Sequence, residues 1–164
     1  MTKLIAVLAL FAVVLSVAAG TATARTRADA NIVQTAVAAG QFKTLVKLLT
    51  RAGLVGALQG AGPYTVFAPT DAAFNKVPKQ TLNALLQNKA KLKAVLLYHV
   101  VSGKVTAADV AKLSTAKTLS GKSVRIRLSG MNAFVNSAKV TKADVSAANG
   151  VIHVINRVLI PPAR

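Results

Sequence analysis

The chain has 164 residues, 53% of them hydrophobic and 15% charged, with 21 Lys and Arg against four Asp and a formal net charge of +17. That length suits one domain, and so apolar a composition excludes an intrinsically disordered chain. Cysteine and tryptophan are absent and there are two histidines, His99 and His153, which excludes disulfides, thiolate catalysis, Cys-ligated metal and a lipidated cysteine anchor.

The N-terminus reads as a targeting segment. Lys3 supplies a positive start, residues 4–19 are almost continuously apolar, and Ala22-Thr23-Ala24 is a small-residue cleavage pattern. This is the three-part layout of a secretory signal peptide over residues 1–24. The apolar run is short of the roughly 20 residues that a bilayer span needs. The mature chain is therefore expected to be secreted or periplasmic, without a transmembrane span. Cleavage after Ala24 removes Lys3 alone among the charged residues, so +17 becomes +16. Residues 25–30 read as a flexible lead-in.

From Asn31 the pattern is helical. Ile32, Val33, Ala36 and Val37 share one face, and Gly40 is a stop. Phe42, Leu45, Val46, Leu48 and Leu49 form a second stripe ended by Gly53. Leu54 to Leu58 predicts a short third helical turn, closed by Gly60 and by the Gly62-Pro63 turn signal. Tyr64 to Phe67 is rich in β-branched and aromatic residues and predicts a strand that Pro69 ends. Thr70 caps a short helix through Phe74, and Pro78 breaks the pattern. Thr81–Gln87 and Ala90–Leu97 predict two more helices.

The second half changes character. Ser123 to Leu128 alternates with period two, as a half-buried strand does, and places Arg125 and Arg127 on one side. Ser129-Gly130 is a turn. Phe134-Val135 and Ala138–Val140 predict short strands, and Val151–Ile160 a long one. Helices first and short strands later predict an α+β domain. The expected core includes Val66, Phe67, Phe74, Leu96, Leu97, Val100, Val101, Ile152, Val154 and Leu159.

Each carboxylate has a structural use at a predicted helix start. Asp71 follows the cap Thr70, Thr106-x-x-Asp109 and Thr141-x-x-Asp144 have capping-box spacing, and Asp29 precedes the first helix. None pairs with another for acid–base work, and no cluster of oxygens suits a divalent cation. Both histidines sit in apolar, β-branched surroundings and read as hydrogen-bonded structural residues. No Gly-x-Ser-x-Gly nucleophile signature is present. No catalytic residue, metal or cofactor is expected.

Three segments together resemble the fasciclin domain family. Gly62-Pro-Tyr-Thr-Val-Phe-Ala-Pro-Thr-Asp-Ala-Ala-Phe74 resembles its first signature, Tyr98-His99-Val100-Val101 its tyrosine–histidine motif, and Asn149-Gly-Val-Ile-His-Val-Ile-Asn-Arg-Val-Leu-Ile-Pro161 its second signature. Their order matches over residues 31–161, which leaves 162–164 as a tail. The resemblance implies a single domain, a fasciclin-like β-strand wedge or sandwich with several surrounding helices. It also implies an exported protein of adhesion, matrix contact or cell-surface association rather than an enzyme. The motif residues carried over are Thr65, Phe67, Pro69, Thr70, Asp71, Phe74, Tyr98, His99, Asn149, Gly150 and His153. In animal members the integrin-linked positions would fall on Tyr98, His99 and the strand from Val151 to Leu159. This chain departs from the second signature by carrying Asn156 where an acid is common.

The basic residues form the other candidate surface. Lys43, Lys47 and Arg51 repeat at i, i+4, i+8 with no Glu between them. Lys89, Lys91 and Lys93 form a second group, and Arg125 and Arg127 a third. Near-absence of acids points to an anionic environment: an envelope or matrix polysaccharide, lipid head groups or extracellular nucleic acid, with a cell-surface protein as a further candidate partner. A specific nucleic-acid ligand is disfavoured, since aromatics are 4% of residues and none alternates with the cations in sequence. The alternative is a lipophilic, carotenoid-like carrier, because some algal proteins resembling this family bind carotenoids.

Overall fold

The computed structural model describes residues 30–162. The leader 1–24, Asp29 and most of the lead-in lie outside the described residues, as do the last two residues of the tail.

Three helices come first: α1 (Ile32–Ala39), α2 (Lys43–Ala52) and α3 (Val55–Gln59). Local chemistry explains their limits. Asn31 and Gln34 close a capping box at the start of α1, and Gly40 and Gly53 take the left-handed conformation that ends α1 and α2. Strand β1 (Tyr64–Pro69) follows, then α4 (Asp71–Asn75), α5 (Lys79–Gln87) and α6 (Lys89–Tyr98). Thr70 accepts from the Ala73 N–H and caps α4. Strand β2 (Val100–Ser102) leads to α7 (Ala107–Lys112), whose Thr106–Asp109 capping box forms as its spacing predicts. The chain closes with β3 (Thr115–Lys117), β4 (Ser123–Ser129), β5 (Asn132–Val135), β6 (Ala138–Ala147) and β7 (Gly150–Ile155).

The seven strands form one sheet in the order β2-β1-β7-β6-β5-β4-β3. A bridge between Val101 and Thr118 links the two edge strands, so the sheet is nearly closed. The β1–β7 pair is parallel and the others are antiparallel. A parallel pair is covered on both faces, and every residue of β7 is buried. Successive side chains alternate across this pair and feed two cores. Val66, Ala68, Ile152 and Val154 pack against α1, α2 and α6. Phe67 and Ile155 pack on the other side with Val124, Ile126, Val135 and Ala138. The fold is a single α+β domain.

Three expectations are corrected. Thr141 and Asp144 start no helix; both lie in β6, where Asp144 has φ 56° at an irregularity in the pairing with β7. The Asp144 carboxylate instead accepts from the Ala107 N–H and serves the start of α7, 37 residues away in sequence. Strand β7 stops at Ile155 rather than Ile160, because its parallel neighbour β1 ends at Pro69, the partner of Ile155. Leu97 is half-buried, while the other expected core residues are buried.

Candidate functional site

Most of the motif residues lie on β1, at the start of or along β7, or at the end of α6, and Thr70, Asp71 and Phe74 belong to α4 and its N-cap. Thr65 is fully buried; its hydroxyl donates to the Gly103 carbonyl at 2.7 Å and accepts from the Val105 N–H at 2.8 Å. Phe67 stacks on His153 with ring centroids 5.6 Å apart. His153 Nε2–H donates to the Val105 carbonyl at 2.7 Å, and its Nδ1 accepts from the Asp144 N–H at 3.3 Å. His99 takes the opposite tautomer. Its Nδ1–H donates to the Val95 carbonyl at 2.7 Å, and its Nε2 accepts from the Leu159 N–H at 2.9 Å. Burial pushes the His99 pKa down to about 4, against the hydrogen bond to Val95. The imidazole is therefore neutral at ordinary pH.

Tyr98 is buried as well. Its hydroxyl donates to the Ser123 carbonyl at 3.2 Å and accepts from the Asn136 amide at 3.0 Å. Asn149 ties three elements together, donating to the carbonyls of Leu58 and Gly60 and accepting from the Ile32 N–H. Gly150 has no room for a side chain, since a Cβ there would collide with the Tyr64 carbonyl. Pro69 ends β1, Thr70 caps α4, and Phe74 is buried beneath α2 and α6. Asp71 lies in the first turn of α4, yet its carboxylate also accepts from the N–H groups of Lys43 and Thr44 at the start of α2. Burial alone would raise its pKa, but these bonds and the Lys43 charge hold it below the usual carboxylate value. The Asp109 carboxyl is held low by the backbone and side-chain hydrogen bonds from Thr106.

The basic residues lie outside this framework. Lys43, Lys47, Arg51, Lys89, Lys91, Lys93, Arg125 and Arg127 are all exposed. On α2 the three cations share a face, but Arg51 is engaged: its guanidinium donates to the Leu86 carbonyl at 3.2 Å, at the end of α5. Lys47 and Arg51 rim an open groove of about 550 Å³ between α2 and α5, floored by Val46, Leu82 and Leu86. On α6, Lys89 and Lys93 are one turn apart, whereas Lys91 points about 200° away. Sequence reasoning missed two residues of the third group. Register places Phe134 opposite Arg127 on β4 and opposite Lys139 on β6. The only signal in the sequence was the period-two alternation of β4; the pairing itself is a property of the assembled sheet.

Among the described residues no three His, Asp or Glu side chains are grouped to hold a metal ion. No helix there is long and apolar enough to cross a membrane.

A sequence model of the fasciclin domain matches residues 40–161. The chain belongs to the fasciclin domain family. Its fasciclin domain is 47% identical over 131 residues to protein sll1735 of Synechocystis, covering 79% of this chain and 97% of that one. It is 40% identical over 129 residues to immunogenic protein MPB70 of Mycobacterium bovis, covering 79% of this chain and 62% of the relative. Among solved structures it resembles a FAS1 domain pair from the insect cell adhesion molecule Fasciclin I. That likeness has a TM-score of 0.67 and 19% identity, and it covers 80% of this chain and 51% of the other. The fasciclin fold thus accounts for the nearly closed sheet and for the motif residues that brace it.

Proposed function

We propose that this fasciclin domain is an exported adhesion or matrix-interaction module that binds an anionic polymer of the cell envelope or extracellular matrix through its basic surface. Residues 1–24 act as the cleaved leader and 31–161 as the binding domain. The observation that carries this reading is the disposition of the carboxylates. Asp71, Asp109 and Asp144 each accept from backbone N–H groups at helix starts. The acids are thereby fixed at α2, α4 and α7, while the exposed Lys and Arg surround the domain with charge that they do not balance. Such a field attracts polyanions and acts over about 8 Å at physiological salt. The cell-adhesion role of Fasciclin I, a protein of the same fold, supports the same class of function.

The test is binding of the protein to an anionic polysaccharide at low and high salt. Affinity is expected to fall steeply as salt rises, and replacing Lys43 and Lys47 by Glu is expected to weaken it further. Glu is as good a helix former as Lys, so α2 survives the change. Affinity indifferent to salt would overturn the electrostatic reading.

A second reading, a lipophilic carrier, is favoured by the α2–α5 groove with its apolar floor. Its volume lies within the range of small-molecule sites, roughly 300–1,000 Å³. Visible absorbance in the protein purified from its native source would support it.

A further inference from the structure

The outward face of the β4–β5–β6 sheet sets an aromatic ring between cations. Val124, Ile126, Val135 and Ala138 point into the second core. Alternation therefore turns Arg125, Arg127, Phe134 and Lys139 to the other side. Arg127, Phe134 and Lys139 stand in one cross-strand row. Neighbouring strands lie about 4.8 Å apart, so the ring has a cation one strand away on each side and the row spans about 10 Å. Arg125 stands two residues along β4, about 7 Å from Arg127. Phe134 is half-buried and belongs to neither core cluster. The nearest carboxylate in sequence, Asp144 on β6, is committed to the start of α7.

We propose that this face is the site at which the domain grips an acidic polysaccharide: a sugar ring stacks on Phe134, and the carboxylates or sulfates beside it meet Arg127, Lys139 and Arg125. The proposal rests on the anionic-polymer reading above and assigns it a place and a ligand class. A pyranose ring is apolar on its C–H face and carries its anionic groups at the edge. That arrangement matches an aromatic ring set between two cations. A nucleic-acid strand needs successive stacking platforms for its bases, and this face offers one ring. The α2 stripe offers charge without a ring, and so would attract the same polymer without orienting it.

The experiment measures binding of the full chain to alginate, a uronate polymer, with neutral dextran and single-stranded poly(dT) as comparisons. Phe134→Thr keeps a strand-favouring residue. It is expected to weaken alginate binding about fivefold or more, the lower end of what a stacked ring contributes, with the salt slope unchanged. Phe134→Tyr restores the ring and is expected to restore binding. Replacing Arg125 and Arg127 by Ala should flatten the salt slope, by about one for each cation removed. A thermal transition like that of the parent chain certifies that each variant is folded. If folded Phe134→Thr binds alginate as the parent does, or if poly(dT) binds as tightly as alginate, the assignment is overturned. If only Lys43 and Lys47 variants lose binding, the anionic-polymer function stands and this site falls. If the parent binds no polyanion at low salt, the function falls first.

Discussion

The backbone N–H of Leu159 donates to Nε2 of His99 at 2.9 Å, across 60 residues of sequence. This bond clamps the segment after β7 onto the end of α6, and both partners are buried. The ring's other nitrogen is held by the Val95 carbonyl one turn back along α6. A protonated imidazole has a proton on each nitrogen and cannot accept from Leu159.

That clamp makes stability depend on pH in a defined window. Unfolded, His99 binds a proton with the ordinary pKa of 6.5; folded, only at about 4. Between these values the unfolded chain holds more protons, so stability falls as pH drops from 6.5 towards 4. The full shift corresponds to about 3 kcal/mol. Urea unfolding at a series of pH values should show this loss. His99→Gln should be less stable at pH 7 by about 1–3 kcal/mol, since buried partners lose their bonds, and should lack this part of the pH slope. An identical slope in the variant would contradict the assignment.

Gly150 and Gly56 should respond to alanine in opposite directions. A Cβ at Gly150 would strike the Tyr64 carbonyl in the central parallel pair. Gly150→Ala should therefore lose stability by more than the typical point mutation, about 1 kcal/mol, or fail to fold. Gly56 lies in α3 with nothing within 4 Å of its added Cβ. Gly56→Ala should gain roughly 0.5–1 kcal/mol. Thermal melts of the two variants check both signs.

Asp71 supplies α2 with the cap that its own N-cap, Phe42, lacks. Asp71→Ala should cost about 1–2 kcal/mol and speed hydrogen exchange at the Thr44 amide. Because the folded carboxyl titrates below its ordinary 3.8, its contribution is present above that pH and is lost as pH falls through the folded value. Unchanged exchange at Thr44 in the variant would show that water caps α2 equally well.

Export should leave a mature chain beginning at Arg25. The Lys3 start, apolar run and Ala22-Thr23-Ala24 order are the grounds. Intact mass spectrometry of the secreted or periplasmic protein decides it, and a product still carrying Met1 would contradict cleavage.

The sequence by itself determined the features whose causes lie within a few residues. Asn31, Thr70 and Thr106 cap the helices that follow them because each side chain bonds to an N–H three residues on. Gly40 and Gly53 end α1 and α2 because the left-handed conformation suits glycine. The three fasciclin signatures were legible as strings, and so was the exposure of Lys43, Lys47, Lys89, Lys91 and Lys93. Tertiary structure alone decided the rest. Thr141-x-x-Asp144 has the spacing of a capping box, yet pairing with β7 holds it in a strand and sends the carboxylate to Ala107. Tyr98 and His99 could have faced a partner or the core; packing put both in the interior and gave every polar atom of their side chains a bond. Arg127, Phe134 and Lys139 are separated by turns in the chain and become neighbours only through strand register. Register depends on the burial of Val124, Ile126, Val135 and Ala138 on the opposite face. A one-residue slip would turn the cations inward and the core outward, so long-range burial, rather than local spacing, sets that row.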